Sequence, residues 1–374
     1  MKSLVKNGVA LAVCALVSGV ANAQSSVTLY GRLDAGIEYV SGLPNNAYTG
    51  STSRWRMESG NWGTSLWGMK GVEDLGAGNK ALFQLEGSFS TTNGSLGAAG
   101  TLWNRWATVG FANDSYGTLL LGRELAITNG VWDFDPFGQT NWSSASLVRG
   151  RNWPQTSNNI SWQSPKWNGF DVYGQYSFSN ATNWNGNGTT TQGRSDGIQV
   201  TYSNSLFQLR GIYDEIRNAS NGGLDDVFNY SRQYFAGANL FLGPFKVQAV
   251  YQASRTSGAT VAAYGTPTTT DQEWGGVTWQ ATPAAALIAA VYHVNANNGG
   301  GNATIYSVGG SYNLSKRTLL DVQVATVRNS KAANFGLDAN SAGAGGVGSD
   351  GTYNENPLPG HSQTGFYAGI QHSF

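Results

Sequence analysis

The chain is short of nearly everything that soluble enzymes and disulfide-bound secreted domains rely on. It has one cysteine, three histidines and nine prolines in 374 residues, and only 12% of it is charged, against a usual globular share of roughly 25%. A lone cysteine excludes an internal disulfide framework. The histidines, His293, His361 and His372, come with no G-x-S-x-G or H-E-x-x-H pattern, so neither a nucleophile with its base nor a metal-ligand constellation stands out, and no cofactor fingerprint is present. The basic clusters of nucleic-acid binders are missing as well. The longest apolar run after Ala23 extends only from Ala284 to Tyr292, well below the roughly 20 residues of a membrane helix.

What the chain does have is glycine, 51 residues, and aromatics at 12%, a mixture that suits strands and tight turns. Its first 23 residues read as a secretory signal. Lys2 and Lys6 form the n-region, Gly8 to Val20 the apolar stretch and Ala21-Asn22-Ala23 the cleavage site, so the mature chain is expected to start at Gln24. Cys14 leaves with this segment. A lipoprotein reading of Leu11-Ala12-Val13-Cys14 is opposed by the bulk of Val13 and by the better cleavage site downstream. Removing Lys2 and Lys6 leaves 20 basic residues against 22 acidic ones.

An exported chain with neither disulfides nor an apolar helix is either a soluble β protein or a membrane barrel, since only helices and closed barrels satisfy every backbone group in lipid. The residues alternate. In Phe245 to Gln252, Phe245, Val247, Ala249 and Tyr251 oppose Lys246, Gln248 and Gln252, and the same two-faced pattern recurs in Phe170 to Phe178, Phe207 to Asp214 and Leu320 to Thr326. Sixteen strands are expected, at 26–40, 62–72, 80–91, 102–111, 117–123, 157–164, 169–178, 195–203, 206–216, 230–242, 244–256, 271–280, 284–295, 302–314, 317–329 and 361–374.

Alternation alone fits a sandwich or a barrel, and the connectors decide between them. Ser203-Asn204-Ser205, Leu242-Gly243-Pro244, Ala281-Thr282-Pro283 and Leu314-Ser315-Lys316-Arg317 are tight, whereas the intervening ones are long and polar. A membrane barrel predicts this asymmetry, with short periplasmic turns at one rim and long external loops at the other. Lys70, Lys80, Lys166, Lys246 and Lys316 fall at the short-turn rim, and only Lys331 in a long loop. An even strand number returns both termini to the periplasmic rim, and roughly 16 to 18 strands leave an aqueous channel.

Five segments carry a resemblance to a known family. Ser25 to Ile37 resembles the first strand of the general porins of β-proteobacteria, and Tyr367 to Phe374 their closing strand with its terminal phenylalanine. Trp67-Gly68-Met69-Lys70-Gly71-Val72-Glu73-Asp74-Leu75-Gly76, Leu121-Gly122-Arg123 and Asn158 to Pro165 resemble further family motifs, in the family's order. The resemblance implies an outer-membrane pore for small hydrophilic solutes, a homotrimer, contact with outer-membrane lipids and lipopolysaccharide, and Phe374 as the signal read by the barrel-assembly machinery. It implies no enzyme activity. A substrate-specific channel, for example for oligosaccharides or aromatic solutes, is the alternative.

The resemblance also implies a third external loop folded inward, here the connector Glu124 to Pro154, with Phe134-Asp135-Pro136-Phe137-Gly138 as its bend. Its carboxylates Glu124, Asp133 and Asp135 are expected to face wall arginines. Strand parity puts Arg32 on the polar face. Arg105 and Arg123 match family positions, and Arg54 and Arg56, just before the second strand, could reach the lumen from above. Leu66 and Gln163 stand where the family often carries basic residues, which weakens an anion preference. Trp67, Trp162 and Trp279 are expected in the interfacial belt, and Trp132, Trp142 and Trp153 in the loop, where packing competes with a solute-stacking role.

Overall fold

The computed structural model describes residues 26–45, 47–149, 151–178, 193–257, 266–338 and 355–374. The expected signal segment with Gln24 lies outside the described residues. The wall is built from β1 (Ser26–Pro44), β2 (Ser51–Ser59), β3 (Leu66–Gly76), β4 (Asn79–Ser88), β5 (Trp106–Asn113) and β6 (Gly117–Leu125). It continues through β7 (Gln155–Gln163), β8 (Phe170–Ser177), β9 (Ser195–Ser203), β10 (Phe207–Ile216), β11 (Arg232–Leu242) and β12 (Phe245–Arg255). The last elements are β13 (Thr269–Gln280), β14 (Ala285–Ala296), β15 (Gly301–Asn313), β16 (Thr318–Asn329) and β17 (Gln363–Ser373).

Apart from β2 and β3, each strand pairs antiparallel with its sequence neighbours, and β17 returns to β1 with Arg32 opposite Ser373 and Ser41 opposite Thr364. β2 and β3 both pair with β1, on its upper and lower halves, so they are two pieces of one stave and the closed barrel has sixteen. The expected second strand, 62–72, thus begins earlier and is interrupted. Pairing with β1 stops at Ser59 opposite Ala35 and resumes at Leu66 opposite Arg32, which leaves residues 60–65 facing only Leu33 and Asp34. The surplus chain bulges off the ladder. Ser65 Oγ takes over the hydrogen bonding, accepting from Asp34 N at 2.9 Å and donating to its carbonyl at 3.1 Å.

Along β12 the expected alternation is seen directly. Phe245, Val247, Ala249 and Tyr251 are exposed outward, while Gln248, Val250 and Gln252 are buried inward. In the last strand Phe366 and Ile370 point outward and Tyr367 inward. At the seam the Phe374 ring lies over Gly31, where a Cβ would come within 2.3 Å of it, and the two backbones exchange hydrogen bonds of 3.1 Å. Trp162 and Trp279 are exposed on the outer surface, and Trp67 packs on Trp103 with centroids 5.0 Å apart.

The two rims differ as expected, with a qualification. The periplasmic connectors are short; 77–78, for instance, is a two-residue turn in which Ala77 and Gly78 both have positive φ, the geometry that matches the twist of paired strands. Among the external connectors, 126–154 and 330–362 are the longest, but 45–50 and 297–300 are as short as turns.

Candidate functional site

The interior is narrowed by the external loop 126–154, which carries two short 3-10 helices, Ile127–Phe134 and Ser144–Leu147. Its sequence is apolar at Ile127, Val131, Phe134, Phe137, Trp142 and Leu147. These side chains are almost wholly buried against inward-facing Ile212, Phe235, Val250, Trp274, Ala290 and Tyr292. Full burial of such a side chain stabilises by about 1.5–3 kcal/mol, so the seat offsets part of the entropy lost in ordering the loop. The wall makes room where it lacks side chains. A Cβ on Gly276 would lie 2.6 Å from Pro136, and one on Gly365 2.8 Å from the Trp142 ring.

Hydrogen bonds from successive strands fix the loop's course. Ile127 N donates to Gln175 Oε1 on β8 at 2.9 Å, and Arg210 on β10 donates to both the Gly130 carbonyl and the Asp133 carboxylate at 2.6 Å. The Asp133 carbonyl accepts from Asn239, Lys246 and Gln248 at 3.0–3.1 Å. Trp274 Nε1 donates to the Phe134 carbonyl at 3.0 Å, Tyr292 to Asp135 at 2.8 Å, and Gln323 to the Trp142 carbonyl at 3.1 Å. The returning arm is held by Arg151, which donates to Asp214 at 2.5 Å, and by Arg149, whose guanidinium lies 3.8 Å from the Phe335 ring centroid. Burial lowers the Arg149 pKa to about 10.

The expected acidic residues divide. Asp133 alone faces a wall arginine, and that arginine is Arg210. Asp135 is buried and accepts from Ser144 Oγ at 2.5 Å, Phe137 N at 2.9 Å and Tyr292; burial pushes its pKa up. It pins the bend and faces no arginine. Glu124 belongs to the end of β6, is fully buried, and accepts from Ser161 at 2.8 Å and Tyr173 at 2.9 Å. For these two the expected pairing with arginines is corrected: hydroxyl donors satisfy them where loop and wall meet.

The expected basic residues lie on the opposite wall. Arg105 pairs with Glu86 at 2.7 Å, both nearly buried, and Tyr30 also donates to Glu86. Arg32 Nε donates to the Thr64 carbonyl at 2.8 Å, and Arg123 to the Asn104 carbonyl at 2.7 Å and Ser157 Oγ at 2.6 Å. Arg54 and Arg56 sit within β2, on its inward face, and not before the strand as expected. Glu355, from loop 330–362, accepts from both at 2.7–2.9 Å. Burial opposes ionisation of Glu355, but the hydrogen bonds and charges of Arg54 and Arg56 together outweigh it and hold its carboxyl below the usual range. Asp338 of the same loop is pushed up to about 7 by burial and by Glu355. Parity along β10 could have nominated Arg210; no periodic signal marks Glu355 or Asp338.

Between the returning arm of the loop and this wall lies a cavity of about 720 Å³, whose lining includes Arg56, Arg105, Asn152, Trp153, Gln155 and Asp338. It is bounded by charge on one side and by amides and an indole on the other. Trp142, by contrast, is buried in the seat.

Comparison with known proteins gives this geometry its family. A family model described as Gram-negative porin matches residues 10–332. Outer membrane porin protein 32 of Delftia acidovorans is 31% identical over 99% of both chains, and an outer membrane porin protein of Bordetella pertussis is 31% identical over 70% of this chain and 72% of its own. Among solved structures, the anion-selective porin from Comamonas acidovorans covers 94% of this chain and 100% of its own, at 25% identity and TM-score 0.75. The trimer form of OmpT from Vibrio cholerae, at 11% identity and TM-score 0.64 over 94% of this chain and 99% of its own, bears on the fold alone. A two-faced, closed wall with a wet interior and these relatives lead to one conclusion: the chain belongs to the Gram-negative porin family, a multi-pass outer-membrane β-barrel that forms a channel for passive diffusion.

Proposed function

We propose that small hydrophilic solutes pass through the opening between loop 126–154 and the β1–β5 wall, with a weak preference for anions, and that the chain performs no catalysis. The carrying observation is the unequal pairing of the two charge sets. On the wall, Arg32 and Arg123 hydrogen-bond to carbonyl or hydroxyl oxygens, while on the loop Asp133 is neutralised by Arg210. The surplus positive charge on the wall rests on Arg32 and Arg123, whose guanidinium groups stay charged at any relevant pH, while Arg54 and Arg56 are matched by Glu38, Glu58 and Glu355, and Arg105 by Glu86. A transverse field of this kind orients water and dipolar solutes and disfavours apolar ones. The Comamonas relative carries anion selectivity in its name, and Leu66 and Gln163 keep the preference weak here.

Of the expected constriction residues, Arg32, Arg54, Arg56, Arg105 and Arg123 are assigned to the permeation path, Asp133 to its edge, and Glu124 and Asp135 to the support of the loop. Planar-bilayer reversal potentials in a salt gradient test this: the double variant Arg32→Gln, Arg105→Gln should move the potential toward cation preference. An unchanged value removes both from the path.

A second reading, a substrate-specific channel, draws on Trp153, which lines the cavity beside Asn152 and Gln155. Saturation of the current at low concentrations of an oligosaccharide or an aromatic solute would favour it. Homotrimer assembly is proposed from membership of the porin family, with outer-membrane lipids and lipopolysaccharide against the apolar exterior.

A further inference from the structure

We propose that the inner wall at the barrel seam holds a hard divalent cation, Ca²⁺, between Asp34 and Asp321, with oxygens of Tyr367 and Gln323 completing its protein ligands. The strands β16, β17 and β1 cross the seam in register. Asp321, Gly369 and Gly36 form one row; Gln323, Tyr367 and Glu38 form the next row toward the external rim, and Leu319, Gln371 and Asp34 the row toward the periplasm.

The middle row has no side chain on its two glycines, and the Tyr367 ring folds into the gap. A Cβ on either Gly36 or Gly369 would lie 2.5 Å from the tyrosine hydroxyl. From there the hydroxyl donates to Asp34 Oδ1 at 3.2 Å, while Gln371 donates to Asp34 Oδ2 at 3.1 Å. Asp321 stands on the far side of the gap, 5% exposed, and among the described residues neither of its carboxylate oxygens has a hydrogen-bond donor. Gln323, fully buried two residues along the same face, has its amide nitrogen committed to the Trp142 carbonyl and Ser307 Oγ, and its Oε1 has no donor either. The charges of Asp34 and Asp321 both act on Tyr367, and that of Asp34 acts on Asp321.

A carboxylate taken out of bulk water without donor or counter-charge is costly. Among the salt bridges of the described residues none involves Asp321, while the charge of Arg32, whose Nε donates to the Thr64 carbonyl, acts on Asp34. Three oxygens without a donor among the described residues, two of them one row from a second carboxylate, call for a positive ligand. The donors are all oxygen, which selects hard cations over zinc or copper, and two carboxylates match a divalent charge. Among the described residues no group of three or more His, Cys, Asp and Glu comes together. Water therefore fills the rest of the roughly six to eight positions that Ca²⁺ takes. An ion here ties β16 to β1 across the closure and lies beneath the strand that anchors Trp142.

Terbium is the probe, since Tyr367 and Trp142 can sensitise its luminescence. Folded barrel in non-ionic detergent should show a saturable signal competed by Ca²⁺, reduced about tenfold or more in affinity by Asp321→Asn and less by Asp34→Asn. Equal terbium affinity in Asp321→Asn, or no saturable, Ca²⁺-competed signal in the wild type, overturns the proposal; the latter is the result expected if the pair merely shares a proton. Should Asp321→Asn fail to fold, judged by heat-dependent electrophoretic mobility, wild-type crystals soaked in terbium decide. An anomalous peak between Asp34 and Asp321 supports the site, and its absence refutes it.

Discussion

The two halves of the lumen are built on opposite principles. From β10 to β17 the inward face carries Ile212, Phe235, Val250, Trp274, Ala290, Val294, Ile305 and Val327, apolar side chains set among buried amides such as Gln248, Gln252 and Gln323. From β1 to β7 it carries Arg32, Glu38, Arg56, Glu86, Arg105, Arg123 and Glu124. The first half behaves as the interior of a soluble protein and takes the third loop as its other layer. The second stays polar and is the half proposed to meet the solute. A single barrel thus holds a dry core and a wet path side by side, and the loop is the partition.

Three perturbations probe this division. The largest effect is expected from Phe134→Ala, which removes a fully buried ring touching Phe235 and lying under the Arg210 guanidinium. Loss of such a side chain costs about 3–5 kcal/mol, and single-channel conductance should rise and become noisy as the loop lifts. A conductance trace identical to wild type would show that the apolar half does not hold the partition. A smaller effect is expected from Gly365→Val, which drives a side chain into Trp142; overpacking costs about 1–3 kcal/mol, to be read as a lowered temperature for losing the fast-migrating folded form on gels.

The smallest concerns the wet half and pH. Asp338 has its pKa raised from 3.8 to about 7, so the folded loop favours the protonated acid. The associated stability is complete below the unfolded value and is lost as pH rises through about 7. Protease cleavage in loop 330–362 should therefore quicken severalfold between about pH 5 and pH 8, and Asp338→Asn should flatten that dependence. A cleavage rate independent of pH in the wild type would remove Asp338 from the loop's seat.

Much of the wall is legible in the sequence because it repeats. Each strand restates the same period-two rule, and the lysines mark one rim, with Lys80, Lys166, Lys246 and Lys316 in or beside periplasmic turns. The interruption of the second stave was not legible. Arg54 to Glu58 alternate well enough for a strand, but nothing local says that residues 60–65 leave the ladder, which depends on what β1 offers opposite them. The candidate site shows the same limit. Parity placed Arg32 inward and, applied to β10, would have placed Arg210. The fate of Asp135 depends on a serine nine residues away and a tyrosine on β14, and no spacing rule connects those.

The returning arm of the third loop also has two sides with separate duties. Leu147 and Arg151 lock into the wall, while Asn152 and Trp153 line the cavity beside Arg56 and Arg105. Bore and foundation therefore belong to different residues of one short ribbon. A lineage could change what it admits by editing the outward pair alone, with the scaffold underneath left untouched.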